Sequence, residues 1–341
     1  MKAYLQRLSE RESLTQTEMK EVMEYIFNEE ITDSEIAALM VGLKTKGETV
    51  DEIVGIVQAL REKALPFHTK ISNVIDNCGT GGDGSKSFNI STTSAFVMAG
   101  AGIPVAKHGN RSITSKTGSA DVLEYLGINW DLKPEVSMEL LQDIGITFLF
   151  APYVHPKIKR IMKVRKDLRI PTVFNLIGPL TNPVELESQL LGIYRRDLIG
   201  MFAEVLKTLG RKRAVVINGA GFMDEASLAG ENHLAILENG KIESRILHPE
   251  EVGFRVYDNE AIRGGDSKEN AEILLEILKG EKGARRDTVL LNAGIGIFAN
   301  GAAGTIEEGV KLAAESIDSG AALGKLENLV EKSKAYRAEV I

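Results

Sequence analysis

A single cysteine, Cys78, in 341 residues excludes an internal disulfide and leaves too few thiols for a cysteine-rich zinc site. Positive charge is in short supply as well. The 41 Lys and Arg are outnumbered by 48 Asp and Glu, and the formal net charge of -7 excludes a broad nucleic-acid surface. An anionic ligand must therefore be held by local positive groups. Long apolar runs are absent: the longest, residues 95–106, stops at Lys107, short of the roughly 18 residues of a membrane span. The N-terminal stretch MKAYLQRLSERESLTQ carries charges where a secretion signal needs an apolar segment. A soluble, cytoplasmic protein is expected, without membrane or nucleic-acid partners. No internal repeat or low-complexity segment is visible.

What is present falls into two parts. In the first 66 residues, Thr15 and Glu18, Thr32 and Glu35, and Thr49 and Glu52 each have the spacing of a capping box. Apolar stripes at helical spacing follow, such as Ile36, Leu39, Met40 and Leu43. Gly47 is placed to stop a helix, and Pro66 closes the section, with residues 65–70 as a linker. From residue 73 the pattern alternates. Strands are predicted at 73–78, 103–106, 146–150, 189–194, 214–218 and 288–292, and helices at 90–100, 120–126, 197–209 and 268–278. Asn239-Gly240 predicts a hairpin turn. The fold class read from this is α/β, a small N-terminal helical domain packed on a larger α/β domain with a mostly parallel central sheet.

The chemistry concentrates where strands meet helices. Residues 76–92, DNCGTGGDGSKSFNIST, set four glycines after a short apolar strand. Gly79, Gly81 and Gly84 match the dinucleotide fingerprint literally, but that motif needs an acidic residue about 20 positions on, and the next strand ends in Lys107-His108. A P-loop fails because Ser85 holds the lysine position. A third reading is a phosphate cradle, with backbone N–H groups and Ser87, Asn89, Ser91 and Thr92 donating at a helix start. Alone, the loop is better read as a tight strand-to-helix turn capped by Asn89 or Ser91.

It is not alone. The next junction, KHGNRSITSKTGSADVLE, brings Lys107, His108, Arg111 and Lys116 within ten residues, with several hydroxyls. In an open parallel sheet both loops leave the carboxyl ends of neighbouring strands, where ligands bind, and together they suit a substrate with two phosphate groups. Such a substrate brings Mg²⁺, for which Asp224-Glu225 is the carboxylate candidate, with Asp83 behind it. His155, Lys157, Lys159, Arg160, Lys163, Arg165 and Arg169 are expected on one helix. Most form a wetted face, and one arginine directed inward could clamp a carboxylate. Cys78 reads as a packed strand-end thiol, without a catalytic histidine motif to make it a nucleophile.

Together, GTGGD (79–83), NIST (89–92), KHGNRS (107–112), GSADVLE (118–124), VFNLIGPLTNP (173–183) and DEASL (224–228) resemble the anthranilate phosphoribosyltransferase family of tryptophan biosynthesis. The resemblance runs essentially end to end. It implies a helical domain over residues 1–66, joined by helices from about 155–186, and an α/β domain over 70–341 that binds phosphoribosyl pyrophosphate. It further implies a homodimer formed through the helical domain. The implied phosphoribosyl pyrophosphate contacts are Gly79, Gly82, Asp83, Ser87, Asn89, Ile90, Ser91, Thr92, Lys107, His108, Gly109, Asn110, Arg111, Ser112, Ile113, Thr114, Ser115 and Ser119. For anthranilate they are Gly79, Asn110 and Arg165, with His108, Ala151, Pro152 and His155 in or near its channel. Two Mg²⁺ ions are implied, one on Ser91 and Glu225 and one on Asp224 and Glu225. No discrete catalytic acid or base is expected. The alternative on the same fold is a pyrimidine nucleoside phosphorylase. An oxidoreductase rests only on the literal glycine match.

Overall fold

The structure, a computed structural model, describes residues 1–111 and 117–338. Four helices open the chain: α1 (Lys2–Ser9), α2 (Gln16–Phe27), α3 (Asp33–Lys46) and α4 (Val50–Glu62). The capping boxes expected at Thr15, Thr32 and Thr49 all form. Each backbone N–H donates to the carboxylate three residues on, at 2.8, 2.8 and 2.9 Å. Gly47 ends α3 with φ +89°, as its position indicated.

The remaining elements alternate. Strand β1 (Ile75–Asp76) is followed by α5 (Ile90–Gly100), β2 (Val105–Gly109), α6 (Ser119–Tyr125), α7 (Pro134–Ile144) and β3 (Ile146–Phe150). Then come α8 (Ala151–Val154), α9 (Lys159–Leu168), β4 (Ser188–Gly192), α10 (Ile199–Thr208) and β5 (Arg213–Asn218). Strands β6 (Asn232–Glu238) and β7 (Lys241–Leu247) and helices α11 (Ser267–Leu278), α12 (Ala284–Asn300), α13 (Ile306–Asp318) and α14 (Ala321–Ala338) complete it. The sheet order is β3-β2-β1-β4-β5-β6-β7. Strands β1 to β5 pair in parallel, and the hairpin adds β6 and β7 antiparallel at one edge. Asn239 and Gly240 turn it with φ of +50° and +75°, the left-handed pair that a two-residue hairpin requires.

The period-2 alternation of strands distributes the core between the two faces. Val215, Ile217 and Leu234 join the cluster under α5, α11, α12 and α13. Ala214, Val216, Ala235 and Leu237 face the other way, onto α10 and the N-terminal helices. Ile161, Val164, Val173, Phe174, Ile177 and Leu180 share that second cluster, so the 158–180 segment packs with α1–α4. The helical domain thus shares its core with one face of the sheet. No described helix is long and apolar enough to cross a membrane.

Three expectations are corrected. Residues 288–292 are not a strand but lie inside α12, where every residue from Thr288 to Ile297 is buried. A helix buried all round shows no polar face, so its short apolar run lacks the 3.6-residue signature. Residues 155–169 are not one helix. The chain breaks at His155-Pro156, passes through a short 3₁₀ turn (Pro156–Ile158), and resumes as α9. Arg169 then ends α9 in the left-handed region, φ +53°. The first strand is also shorter than expected, because Asn73 has φ +58° and only Ile75–Asp76 is extended.

Candidate active site

The loops that follow β1, β4 and β5 meet at the carboxyl end of the sheet. Gly79 bridges Gly192 in parallel register, and the Thr80 N–H donates to the Gly192 carbonyl at 2.9 Å. Gly81 and Gly82 have φ of +67° and +80°, which glycine adopts without steric cost. The closeness required here is visible at Gly79. A Cβ on it would lie 2.4 Å from Asp224 Oδ2, so a side chain would occupy the carboxylate's place.

The carboxylates of Asp224 and Glu225 are fixed by backbone donors of the glycine loop and the following helix. Gly81 N–H donates to Asp224 Oδ2 at 2.6 Å, and Ser91 N–H, in the first turn of α5, donates to Glu225 Oε1 at 3.2 Å. A helix N-terminus favours negative charge there. Asp83 lies behind, its Oδ2 accepting from Asp224 N–H at 3.4 Å and its Oδ1 from Ser85 N–H at 3.0 Å. Burial, reinforced by Asp83, raises the Asp224 carboxyl above its ordinary range. Burial and Asp224 raise Glu225, with Lys107 opposing. These carboxylates are short of positive charge. No group of three or more His, Cys, Asp or Glu with metal-holding geometry occurs among the described residues. Two carboxylates and the Ser91 hydroxyl fit Mg²⁺, which keeps water and phosphate oxygens in most of its coordination positions.

Asn89 occupies the N-cap position of α5 without capping it, since its Oδ1 accepts from Asn270 Nδ2 at 2.9 Å. The simple capped-turn reading of the loop therefore fails for Asn89, and the Ser91 N–H is taken up by Glu225. Ser87 Oγ lies 3.2 Å from Ser85 Oγ, while Ile90 and Thr92 are buried at the helix start. The Thr92 hydroxyl has no partner among the described residues. Cys78 is a poor nucleophile, because enclosure pushes its thiol up to about 12.

On the neighbouring strand, Lys107 and His108 are 2% and 3% exposed. The Lys107 charge acts on Asp76, Cys78 and Glu225, which sets it between the two loops. The His108 ring approaches the Gly178 carbonyl through Nδ1 at 3.1 Å and meets His155 edge-on, with centroids 5.6 Å apart. Gly109 lies against Ser119: a Cβ there would be 2.4 Å from its hydroxyl. The Ser119 hydroxyl instead donates to the Asn110 carbonyl at 3.2 Å. Arg111 is turned outward onto Asp121 and Glu124, both at 2.7 Å, and over Trp130. Ser112, Ile113, Thr114, Ser115 and Lys116 lie outside the described residues.

The basic segment is sorted by its partners. Arg160 and Lys163 both bind Asp33 on α3, at 2.9 and 2.5 Å, and so tie α9 to the helical domain. Arg165 is half-buried and has no carboxylate partner among the described residues. One of its Nη atoms meets only the Met162 sulfur, and burial lowers its pKa. Arg169 also has no side-chain partner among the described residues but is exposed, whereas the Arg165 guanidinium is partly withdrawn from water without a carboxylate to satisfy it.

Several supporting residues were not legible in the sequence. Asn292 on α12 clamps Ala226, accepting from its N–H at 2.8 Å and donating to its carbonyl at 2.9 Å, and so braces the Asp224-Glu225 loop. Gly192 and Asp76 also support the loops. A charged residue in the apolar strand VID was the one signal that could have drawn attention to Asp76.

Comparison with known proteins places this geometry. Residues 2–64 match the helical bundle domain of the glycosyl transferase family, and residues 71–323 match its a/b domain. The anthranilate phosphoribosyltransferase of Bacillus cereus (strain AH820) is 60% identical over 333 residues, covering 98% of each chain. That of Bacillus mycoides (strain KBAB4) is 59% identical over the same length. The crystal structure of anthranilate phosphoribosyltransferase from Thermus thermophilus superimposes with a TM-score of 0.92 at 40% identity, covering 97% of this chain and 99% of that one. The Saccharomyces cerevisiae enzyme, solved in complex with phosphoribosyl pyrophosphate and Mg, gives 0.89 at 26% identity, covering 98% and 97%. The chain belongs to the glycosyl transferase family and, within it, to the anthranilate phosphoribosyltransferases.

Proposed function

We propose that this chain transfers the 5-phosphoribosyl group from phosphoribosyl pyrophosphate to the amine of anthranilate, releasing pyrophosphate. The observation that carries the reading is the pair Asp224 and Glu225, held against the glycine loop by Gly81 and Ser91 and short of positive charge. The relatives' activity and the yeast complex with phosphoribosyl pyrophosphate and Mg support it. This chain's residues divide the work. The glycine loop, Asn89, Ser91 and Thr92 bind the diphosphate, with Lys107 and the 108–115 segment beside them. Ser91, Asp224 and Glu225 would hold two Mg²⁺ ions, which supply neutralisation of the charge that grows on departing pyrophosphate. Arg165 takes the anthranilate carboxylate in a bidentate grip, with Asn110 orienting the ring. The aromatic amine is already nucleophilic, so no general base is needed, and catalysis is positioning and electrostatics.

A homodimer and a cytoplasmic location belong to the same reading. Exposed Ser34, Ala38, Val41 and Thr45 form an uncharged stripe along α3, which suits a second copy of the helical domain. The domain division proposed is 1–66, with the 155–186 segment, against 70–341. The test is loss of anthranilate fluorescence on addition of phosphoribosyl pyrophosphate and Mg²⁺, abolished by EDTA. Phosphate-dependent release of base from thymidine or uridine, without that loss, would favour the pyrimidine nucleoside phosphorylase instead.

A further inference from the structure

Asp76 is a fully buried carboxylate on β1, at the head of the 76–92 stretch and without a ligand role in any reading above. Its Oδ1 accepts from the Cys78 N–H at 3.1 Å, at the entry to the glycine loop, and from the His108 N–H at 3.3 Å, at the end of β2. Its Oδ2 accepts from Asn182 Nδ2 at 2.9 Å, and the same amide donates to the Ala106 carbonyl at 2.8 Å. Asn182 cannot turn over to serve a different partner, because its Oδ1 accepts from Val184 N–H at 3.0 Å. A buried carboxylate is costly unless hydrogen-bonded, and this one is held by three hydrogen bonds from neutral donors. The charges that oppose its burial are those of Lys107 and, more weakly, Arg211. A residue serving only its own turn would need the Cys78 bond alone. The other two arms reach β2 and the 178–183 segment.

We infer that Asp76 is a positioning residue for phosphoribosyl pyrophosphate, its carboxylate fixing the glycine loop and the Lys107–Asn110 strand end at the separation the diphosphate requires. This rests on the functional reading above. Both strand ends carry proposed ligand groups, and one carboxylate oxygen is their shared acceptor. Replacing it with an amide turns a donor toward the donor of Asn182 and removes the negative charge facing Lys107. The loops lose their common reference, while Arg165, the proposed grip on the anthranilate carboxylate, lies on α9 and does not touch Asp76, so that anthranilate is affected only through Gly79 and Asn110.

The test is calorimetric titration of phosphoribosyl pyrophosphate with Mg²⁺ but no acceptor, beside KM for both substrates and the urea midpoint. Asp76→Asn is expected to weaken phosphoribosyl pyrophosphate binding and raise its KM at least tenfold, with a clearly smaller rise in the anthranilate KM, at most about threefold, through Gly79 and Asn110. Binding by Asp76→Asn within threefold of wild type would overturn the assignment. So would an equal rise in both KM values accompanied by a falling urea midpoint. If Asp76→Asn fails to fold, Asn182→Ser, which keeps the carboxylate and removes one arm, is expected to weaken binding threefold or more, and unchanged binding overturns the proposal. A wild-type chain that does not bind phosphoribosyl pyrophosphate would overturn the functional reading itself, and this arm is read separately.

Discussion

Gly192 stands so close to Asp224 that a Cβ on it would lie 1.6 Å from the Asp224 carbonyl oxygen. The end of β4 and the backbone of the Asp224-Glu225 loop are in direct contact, and glycine is the residue that permits it. Gly79 approaches the same aspartate from the other side, but there the nearest atom, at 2.4 Å, is the carboxylate oxygen. The two glycines therefore predict different failures. Gly192→Ala must displace backbone and is expected to cost about 2–3 kcal/mol of stability and at least a hundredfold in activity. Gly79→Ala can be relieved largely by swinging the Asp224 side chain, so stability should change by only about 1 kcal/mol. Its Mg²⁺ concentration for half-activation should rise at least tenfold. Thermal unfolding and a Mg²⁺ titration of activity separate the two, and matching profiles would contradict this account.

Arg160 and Lys163 are committed to Asp33, whereas Arg165, partly withdrawn from water, has no carboxylate partner among the described residues. Arg165→Ala is expected to raise the anthranilate KM at least thirtyfold and the phosphoribosyl pyrophosphate KM less than threefold. Arg165→Lys should recover little, because an ammonium cannot make the two-pronged contact. Equal changes in both KM values would refute the assignment.

Glu52, fully buried on α4, accepts from the N–H groups of Leu14 and Thr49 and from Lys46 Nζ, each at 2.9 Å. Lys46 is itself only 5% exposed at its side chain. Removing one partner strands a buried charge, so Glu52→Ala is expected to destabilise the protein by about 3–5 kcal/mol. Surface-paired Glu62→Ala, which loses Lys20, should cost less than about 1 kcal/mol. Urea denaturation of the two variants checks the contrast.

His155 is buried, and desolvation lowers its pKa from 6.5 to about 4. The folded state refuses a proton that the unfolded chain accepts. The group's contribution is thus fully present above pH 6.5 and lost as pH falls toward 4. Between pH 7 and pH 5 this removes roughly 2 kcal/mol. His108, lowered to about 3, acts in the same direction, while Asp76, raised to about 6, acts oppositely. Comparing His155→Gln with the parent cancels those groups. The variant should lose less stability on acidification by about that amount, and parallel curves would show that His155 does not titrate this way.

The helical caps, the parallel strands, the hairpin and the glycine-rich turn after the first strand were legible in the sequence because each rests on local chemistry. A threonine three residues before a glutamate satisfies backbone donors wherever it occurs, and Asn-Gly turns a hairpin by its own φ preferences. The cluster of glycines, hydroxyls and basic residues likewise falls at the carboxyl edge of the sheet, where the sequence placed it. The tertiary structure decided what depends on distant partners. Helix α12 looked like a strand at 288–292 because burial on every side erases periodicity. Arg165 could not be told from Arg160 until Asp33, 127 residues from Arg160, was seen to claim the latter. The roles of Asp76, Asn182 and Asn292 exist only as hydrogen bonds across 32, 106 and 66 residues of chain. Local sequence specifies which conformations a segment prefers; which charge is neutralised and which is left for a ligand is settled when the segments pack.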